Sequence, residues 1–315
     1  MAWTRDELLS ATGGTIVRDR QNSSFGEIVT DSAKVKKGSV FIALKGERFD
    51  GHRFAGEAVR RGAACVIVHQ DLGRSVPRDA VVVRVPDTLR ALGDLAHFRR
   101  RKLAPKVLAI TGSNGKTTTK EMTAAILERA TIDGQTLRRK VLKTDGNFNN
   151  LVGLPLTLLR LRKHHKVAVV ELGTNHPGEI RRLCEIADPD MGIITSVAAA
   201  HLEGLNSLTG VAREKGELFR AIRAGGTIAV NLEDPWVRRL GARFKGRKIT
   251  YGRGGEVRIE CARVAAARGM RFTLRIGRMQ SQVRVHFLGR HNLTNAAGAA
   301  ALACGIASRS TETRR

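Results

Sequence analysis

Aromatic residues, cysteines and acidic residues are all scarce in this sequence, and long apolar runs are missing. Aromatics make up 4% of 315 residues, which argues against a surface that stacks on successive bases of single-stranded nucleic acid. The four cysteines, Cys65, Cys184, Cys261 and Cys304, lie far apart and form no C-x-x-C pair. Three stand in apolar context, so buried, reduced thiols of a cytosolic protein are expected. No apolar stretch approaches the length of a membrane span. The amino-terminal MAWTRDELL has acidic residues and no apolar h-region, unlike a signal peptide. These absences point to the cytoplasm. Acidic residues number 29 against 55 Lys and Arg, a formal charge of +26. Such an excess raises a nucleic-acid reading. The basic residues are nevertheless spread along the whole chain, with no basic tail. Runs such as Arg99-Arg100-Arg101-Lys102 and Arg138-Arg139-Lys140 fall near predicted helix ends or linkers, where a solvated surface accounts for them. A basic field also suits anionic small molecules, nucleotides included.

Hydrophobic residues, 42% of the chain, are enough for sizeable cores, and the length suggests about two domains. The stretch Val107 to Glu121, VLAITGSNGKTTTKE, organises the rest. An apolar run, Val107 to Ile110, predicts a buried strand. Gly112-Ser113-Asn114-Gly115 predicts a turn. Lys116 to Arg129 predicts a helix, with Met122, Ala125 and Ile126 on one face. Strand, glycine loop, Lys-Thr and helix form a phosphate cradle. Backbone amides and the helix N-terminus face the phosphates, Lys116 adds a full charge, and Thr117 can reach Mg²⁺. The general P-loop glycine is replaced by Ile110, so this is a shorter loop, Gly112-x-x-Gly115-Lys116-Thr117-Thr118. ATP is the expected ligand.

Before this stretch, Trp3 to Ala11 reads as a helix capped by Thr4 with Glu7. Short strand-like runs follow at 27–30, 39–44, 64–68 and 80–83, with a helix from Phe54 to Arg61. A second helix is expected from Arg84 to Arg101, then a linker through Pro105. Together these predict a small α/β domain over 1–103. Its loops at 30–38 and 45–54 place polar side chains beside backbone amides that can hold a diphosphate, although each can also be an ordinary turn. After the P-loop helix, strands and helices alternate to Tyr251, which predicts a doubly wound, mostly parallel sheet. A β-hairpin around Gly277-Arg278 and an alanine-rich helix close a second domain, 104–315. The asparagine-rich Asn147-Phe148-Asn149-Asn150 offers donors and acceptors to a polar substrate. Glu171 ends a predicted strand, where open α/β sheets bind ligands and a carboxylate can hold Mg²⁺. His201, just past the next strand, is a candidate metal or phosphate contact.

These pieces, in this order, resemble the Mur ligases of peptidoglycan synthesis from about Ile28 to Ala303. The resemblance rests on Asp31-Ser32, on Asp50-Gly51-His52-Arg53-Phe54, and on the P-loop through Thr118. It continues in Gly146-Asn147-Phe148-Asn149-Asn150, Glu171-Leu172-Gly173-Thr174-Asn175, Ala200-His201-Leu202-Glu203, Lys215-Gly216-Glu217, and His291-Asn292 with Asn295. The Asn-Phe-Asn-Asn and Glu-Leu-Gly-Thr-Asn stretches are similar to the MurF branch. That branch couples ATP to the joining of D-Ala-D-Ala to UDP-N-acetylmuramoyl-tripeptide through an acyl phosphate. The resemblance implies that Gly112, Ser113, Asn114, Gly115, Lys116, Thr117 and Thr118 bind the phosphates, and that Asn292 and Asn295 contact adenine. It implies two Mg²⁺ ions, one on Thr117 and Glu171, the other on His201 with Lys215 carrying a carbamate made from CO₂. Lys116, Glu171, His201 and Lys215 would be catalytic. Ser32, Gly46, Asp50, His52, Phe54, Asn147, Asn149, Asn150, Thr174 and Asn175 would bind the small-molecule substrates. A cytoplasmic monomer without a nucleic-acid partner is expected. The sequence departs from the family at Ala33, where an arginine is usual, and at Ser196 and Ala198. It also stops where the family's third, Rossmann-like domain begins, which predicts weak binding and poor catalysis by this chain alone. Competing readings are a MurE-type ligase or folylpolyglutamate synthase, which Gly-Asn-Phe-Asn-Asn argues against, and a basic nucleotide- or nucleic-acid-binding protein.

Overall fold

The computed structural model describes residues 2–19, 24–47, 49–73, 75–77, 80–132, 134–199, 202–223, 225–264, 269–286 and 288–307. The chain divides into two compact units. Met1–Lys102 with Leu158–Arg162 forms the first, and Leu103–Thr157 with Lys163–Arg315 the second.

The first unit opens with α1 (Arg5–Thr12). Thr4 completes both halves of a capping box. Its hydroxyl accepts from the Glu7 amide at 3.2 Å, and the Glu7 carboxylate accepts from the Thr4 amide at 3.1 Å. The Thr-x-x-Glu spacing predicts this arrangement, because it satisfies two of the amides that a helix start leaves unpaired. Thr4→Ala should therefore cost this unit about 1 kcal/mol, read as a lower urea midpoint at unchanged slope.

One five-stranded sheet follows, made of β1 (Thr15–Arg18), β2 (Ile28–Val29), β3 (Val40–Ile42), β4 (Cys65–Val68) and β5 (Val81–Arg84). They lie in the order β1-β5-β4-β3-β2, all parallel except β1. The apolar β-branched runs of β3, β4 and β5 are buried along their length apart from Arg84, as a covered parallel sheet requires. The helices α2 (Ala55–Arg60) and α3 (Thr88–Leu103) complete the unit.

Three expectations change here. The second helix starts at Thr88 rather than Arg84, because Arg84 ends β5 and Asp87 caps the helix, its carboxylate accepting from Leu89 and Arg90 amides at 2.7 and 3.1 Å. The expected linker shrinks to Ala104-Pro105, since Arg101 to Leu103 continue the helix. The basic run is not all solvated: Arg99 and Arg100 are buried, and the Arg99 guanidinium lies 4.6 Å over the Trp3 ring. A weakly hydrated, planar cation can stack where an ammonium could not.

The second unit is built on β6 (Lys106–Thr111), α4 (Lys116–Arg129), β7 (Val141–Lys143), α5 (Gly153–Leu159), β8 (Val167–Glu171), α6 (Glu179–Ala187) and β9 (Met191–Ile194). It continues with α7 (Leu208–Ala221), β10 (Thr227–Asn231), α8 (Pro235–Ala242) and β11 (Arg247–Tyr251). The strands β12 (Val257–Val264), β13 (Met270–Ile276) and β14 (Met279–Val285) precede α9 (Arg290–Ala307). Nine strands form one sheet in the order β7-β8-β6-β9-β10-β11-β12-β13-β14. It is parallel from β7 to β12, and antiparallel where β13 and β14 add the expected hairpin. Leu108, Ile110, Val169, Ile193 and Ala229 join α4 and α9 in one core. The other face meets α7 and α8, with Gly192 against Leu218 and Gly241 against Val230. Helices on both faces make the sheet doubly wound.

Two further expectations are corrected. On α4 the buried face is Thr119, Lys120, Thr123, Ala124 and Leu127, while Ala125 and Ile126 are exposed. Of the cysteines, Cys65 and Cys184 are buried, but Cys261 is exposed. Burial alone pushes the Cys65 thiol up to about 12, so it stays protonated and unreactive. Among the described residues, no helix is long and apolar enough to cross a membrane.

Candidate functional site

The chain leaves β6 at the carboxyl edge of the sheet and turns through Gly112 to Gly115 into α4. The neighbouring strand end holds this turn. Ser113 donates its amide to the Ser196 carbonyl at 2.9 Å, and Asn114 donates to Ser196 Oγ at 3.2 Å. Ser113 Oγ accepts from the Ala198 amide at 2.9 Å. Both glycines are required sterically. A Cβ on Gly112 (φ 151°) would stand 1.9 Å from Thr195 Oγ1, and one on Gly115 (φ 81°) 2.3 Å from Asn295 Oδ1. No side chain caps the N-terminus of α4. Its first-turn amides and the positive end of its dipole therefore face the loop, which suits an anion. Lys116 folds back over the turn, its Nζ donating to the Gly112 carbonyl at 2.9 Å. Burial holds this ammonium below the usual lysine range, with Glu171 opposing the shift.

Thr117 and Glu171, which the family resemblance assigns to one Mg²⁺, stand together. Thr117 Oγ1 donates to Glu171 Oε2 at 2.9 Å, and Glu171 is the last residue of β8 and only 2% exposed. Its other oxygen accepts from Asn149 Nδ2 at 2.9 Å. Asn149 is thus aimed at the carboxylate and also bonds the Gly173 amide through its carbonyl at 2.8 Å. Asn150 Oδ1 accepts from the Val152 and Gly153 amides at 3.1 and 2.8 Å and so caps α5. Asn147 is exposed.

Lys215 sits on α7 and is 1% exposed. Burial pushes its pKa down to about 8, the Lys116 charge adds to the shift, and Glu214 opposes it. Glu214 is buried too. Its carboxylate accepts from Gly178 and Ile180 amides, both at 2.8 Å, and so holds the start of α6. Thr174 and Asn175 lie in the loop before that helix. The Thr174 hydroxyl donates to the His176 carbonyl at 2.9 Å, and the Asn175 amide donates to Glu179 Oε2 at 2.7 Å. Sequence reasoning assigned no role to Glu214, although its place beside Lys215 was a signal. At the start of α9, Asn295 Nδ2 donates to Asn292 Oδ1 at 3.2 Å, so the two asparagines stand together beside Gly115. His201 lies outside the described residues.

Thr117 Oγ1 and the Glu171 carboxylate are hard oxygen donors at hydrogen-bond distance, a set that fits Mg²⁺ completed by water and phosphate oxygens. Among the described residues, no group of three His, Cys, Asp or Glu gathers to hold an ion by itself. An unmodified Lys215 ammonium repels a metal.

Within the first unit, Asp50 caps the turn Gly51–Phe54, accepting from the His52 amide at 3.0 Å and from His52 Nδ1 at 2.6 Å. His52 Nε2 accepts from the His69 amide at 3.2 Å. Both nitrogens of this buried ring are engaged, and Nδ1 carries the proton. The His52 amide, and then the ring, hold the Asp50 carboxyl below the usual carboxylate range. Gly46 donates its amide to the Phe49 carbonyl at 2.8 Å, and Phe49 stacks on Phe54 at 5.0 Å. These contacts brace Gly46, Phe49, Asp50, His52 and Phe54 among themselves or against His69. Ser32 begins the short turn Ser32–Lys34, capped by Asp31.

Residues 110–303 match the family model described as the Mur ligase middle domain, and residues 25–100 match that of the Mur ligase family, catalytic domain. The chain belongs to the Mur ligase family. Among similar Mur ligases is a UDP-N-acetylmuramoyl-tripeptide–D-alanyl-D-alanine ligase from Haemophilus influenzae. It is 39% identical over 298 residues, covering 93% of this chain and 63% of that one. MurF from Acinetobacter baumannii has a TM-score of 0.88 at 36% identity, covering 97% of this chain and 65% of its own. The MurF ligase from Thermotoga maritima, solved in complex with ADP, has a TM-score of 0.78 at 28% identity, covering 89% and 63%. This Mur ligase chain thus spans just under two thirds of the length of these relatives.

Proposed function

We propose that this chain carries the nucleotide site and the UDP-substrate domain of an ATP-dependent amide ligase of the MurF type. Such a ligase joins D-Ala-D-Ala to UDP-N-acetylmuramoyl-tripeptide for peptidoglycan, a reaction of the cytoplasm. The observation that carries the reading is the Thr117–Glu171 pair, 2.9 Å apart, beside a P-loop whose lysine is already folded over the cradle.

The tripeptide carboxylate attacks the γ-phosphorus, the bond to the β-phosphate oxygen breaks, and ADP leaves an acyl phosphate. The dipeptide amine then attacks the acyl carbon, loses a proton, and inorganic phosphate departs. Little covalent work falls to the protein, so positioning and charge neutralisation dominate. Lys116 serves the β- and γ-phosphates, and Asn292 and Asn295 the adenine. Thr117 and Glu171 would hold one Mg²⁺, and His201 with carbamylated Lys215 a second; bound magnesium neutralises phosphate charge. A lysine depressed to about 8 supports the carbamate, since CO₂ adds only to a neutral amine. Asn147, Thr174 and Asn175 offer polar groups to the peptide substrates, and Ser32 with the Gly46 to Phe54 loop offers them to the UDP end. Solved relatives of the diaminopimelate-adding and folylpolyglutamate synthase kinds are 20% and 17% identical, which supports a common fold and no more.

Two measurements test the reading. The first is binding of a fluorescent ADP analogue in Mg²⁺: Lys116→Met should weaken it about 10- to 100-fold, the loss of a charge-assisted contact. Equal affinity in wild type and variant would remove Lys116 from the site. The second is phosphate release from ATP, expected only when UDP-N-acetylmuramoyl-tripeptide and D-Ala-D-Ala are both present. Release that ignores either substrate would overturn the ligase.

A further inference from the structure

Lys120 lies one helical turn beyond Lys116 and is fully buried, at 0% exposure. Its Nζ donates to the Thr144 carbonyl at 2.8 Å and pairs with the Glu121 carboxylate at 3.1 Å. Glu121 also pairs with Lys143, the last residue of β7. Thr144 is itself buried and is used from both sides. Its amide donates to the Val169 carbonyl at 3.1 Å, and its hydroxyl accepts from the Glu171 amide at 3.1 Å. One buried ammonium and one buried threonine thus connect the P-loop helix to the backbone that carries Glu171. Glu171 in turn points one oxygen at Thr117, on the first turn of that same helix. The result is a closed loop of contacts: Thr117, Glu171, Thr144, Lys120 and back along α4.

Packing alone does not call for this. A methionine fills the same volume without the desolvation cost of an ammonium. What the lysine adds is a fixed distance between α4 and the end of β7, set by a charge-assisted hydrogen bond. We infer that Lys120 and Thr144 are positioning residues that set Glu171 against Thr117, and so tune the divalent-cation affinity of the nucleotide site. Neither is among the residues assigned above to nucleotide or metal. The inference rests on the nucleotide-site reading above.

The test titrates MgCl₂ into the full chain with the fluorescent ADP analogue, for wild type, Lys120→Met, Thr144→Val and Thr144→Ser. Circular dichroism and urea melts report folding. Wild type should show Mg²⁺-enhanced binding. Thr144→Val and Lys120→Met should keep metal-free affinity within about twofold, yet require about tenfold more Mg²⁺ for half-maximal enhancement, the loss of one buried hydrogen bond expressed at Glu171. Thr144→Ser, which keeps the hydroxyl, should behave as wild type. If Lys120→Met does not fold, the valine and serine pair decides. Folded Thr144→Val with a wild-type Mg²⁺ requirement overturns the inference. Equal loss with and without Mg²⁺ also overturns it, since that marks a general structural role. Wild type that shows no Mg²⁺-dependent binding removes the parent reading, and this one with it.

Discussion

Alanine at position 112 should abolish measurable ADP binding and cost roughly 3–5 kcal/mol of stability. Two penalties combine. The backbone there adopts φ 151°, and the new Cβ would stand 1.9 Å from Thr195 Oγ1 and 3.1 Å from the Ser196 amide nitrogen. Neither neighbour is the end of a long flexible chain. Relief must move β9's carboxyl end or the loop itself, and Ser196 is the residue on which Ser113 and Asn114 are hung. The phosphate amides would therefore be displaced together. Gly134→Ala is the control: its φ of 74° is also positive, but nothing lies within 4 Å of the added carbon. It should lose only about 1 kcal/mol and bind ADP normally. Comparable losses in the two variants would show that backbone strain, not the Thr195 contact, controls the loop.

The second large effect is a pH dependence carried by Lys215. Its pKa falls from 10.5 to about 8 on folding, chiefly through burial. Between those values the unfolded chain keeps a proton that the folded chain has released. Stability therefore rises with pH across the window, and this residue's contribution is lost as pH falls through about 8. The full span is worth roughly 3 kcal/mol. Urea melts of wild type and Lys215→Met in CO₂-free buffer at pH 7.5, 9 and 10.5 isolate it. The variant should be the more stable at pH 7.5, with the difference closing by pH 10.5. A constant difference would mean the amine is not desolvated. Bicarbonate at pH 8 should then stabilise wild type and leave the variant unchanged, since a carbamate relieves the buried cation.

The parts of the fold visible in sequence are those encoded locally. The α4 boundaries, the capping box and the hairpin follow from glycine positions, Thr-x-x-Glu spacing and alternation, which act over a few residues. The buried face of α4 was hidden because it is polar. Lys120 faces inward to meet the Thr144 carbonyl, and Thr123 bonds the Thr119 carbonyl of its own helix; nothing in apolar periodicity signals such partners. Arg99 was hidden for the same reason: its host is an aromatic ring almost a hundred residues earlier. The helix start at Thr88 was legible in Asp87, whose carboxylate accepts from the first amides of the helix. In the site, Thr117 and Glu171 were each legible as oxygen donors, but their pairing came from the family resemblance rather than from spacing. The depressed lysine and the Asn149–Glu171 contact depend on burial and on a meeting of separate strand ends, which no spacing encodes.

The return of Leu158–Arg162 to the first unit has a practical consequence for dissecting the molecule. Leu158 and Leu161 are wholly buried, and Arg162 pairs with Glu27 at 3.3 Å. A gene cut once, between the codons for Lys102 and Leu103, would separate the amino-terminal fragment from five residues of its own unit. That fragment should be soluble only when a peptide spanning 158–162 is supplied or fused to it. Split-protein complementation between the two halves would accordingly reassociate through a segment that sequence order assigns to the wrong half.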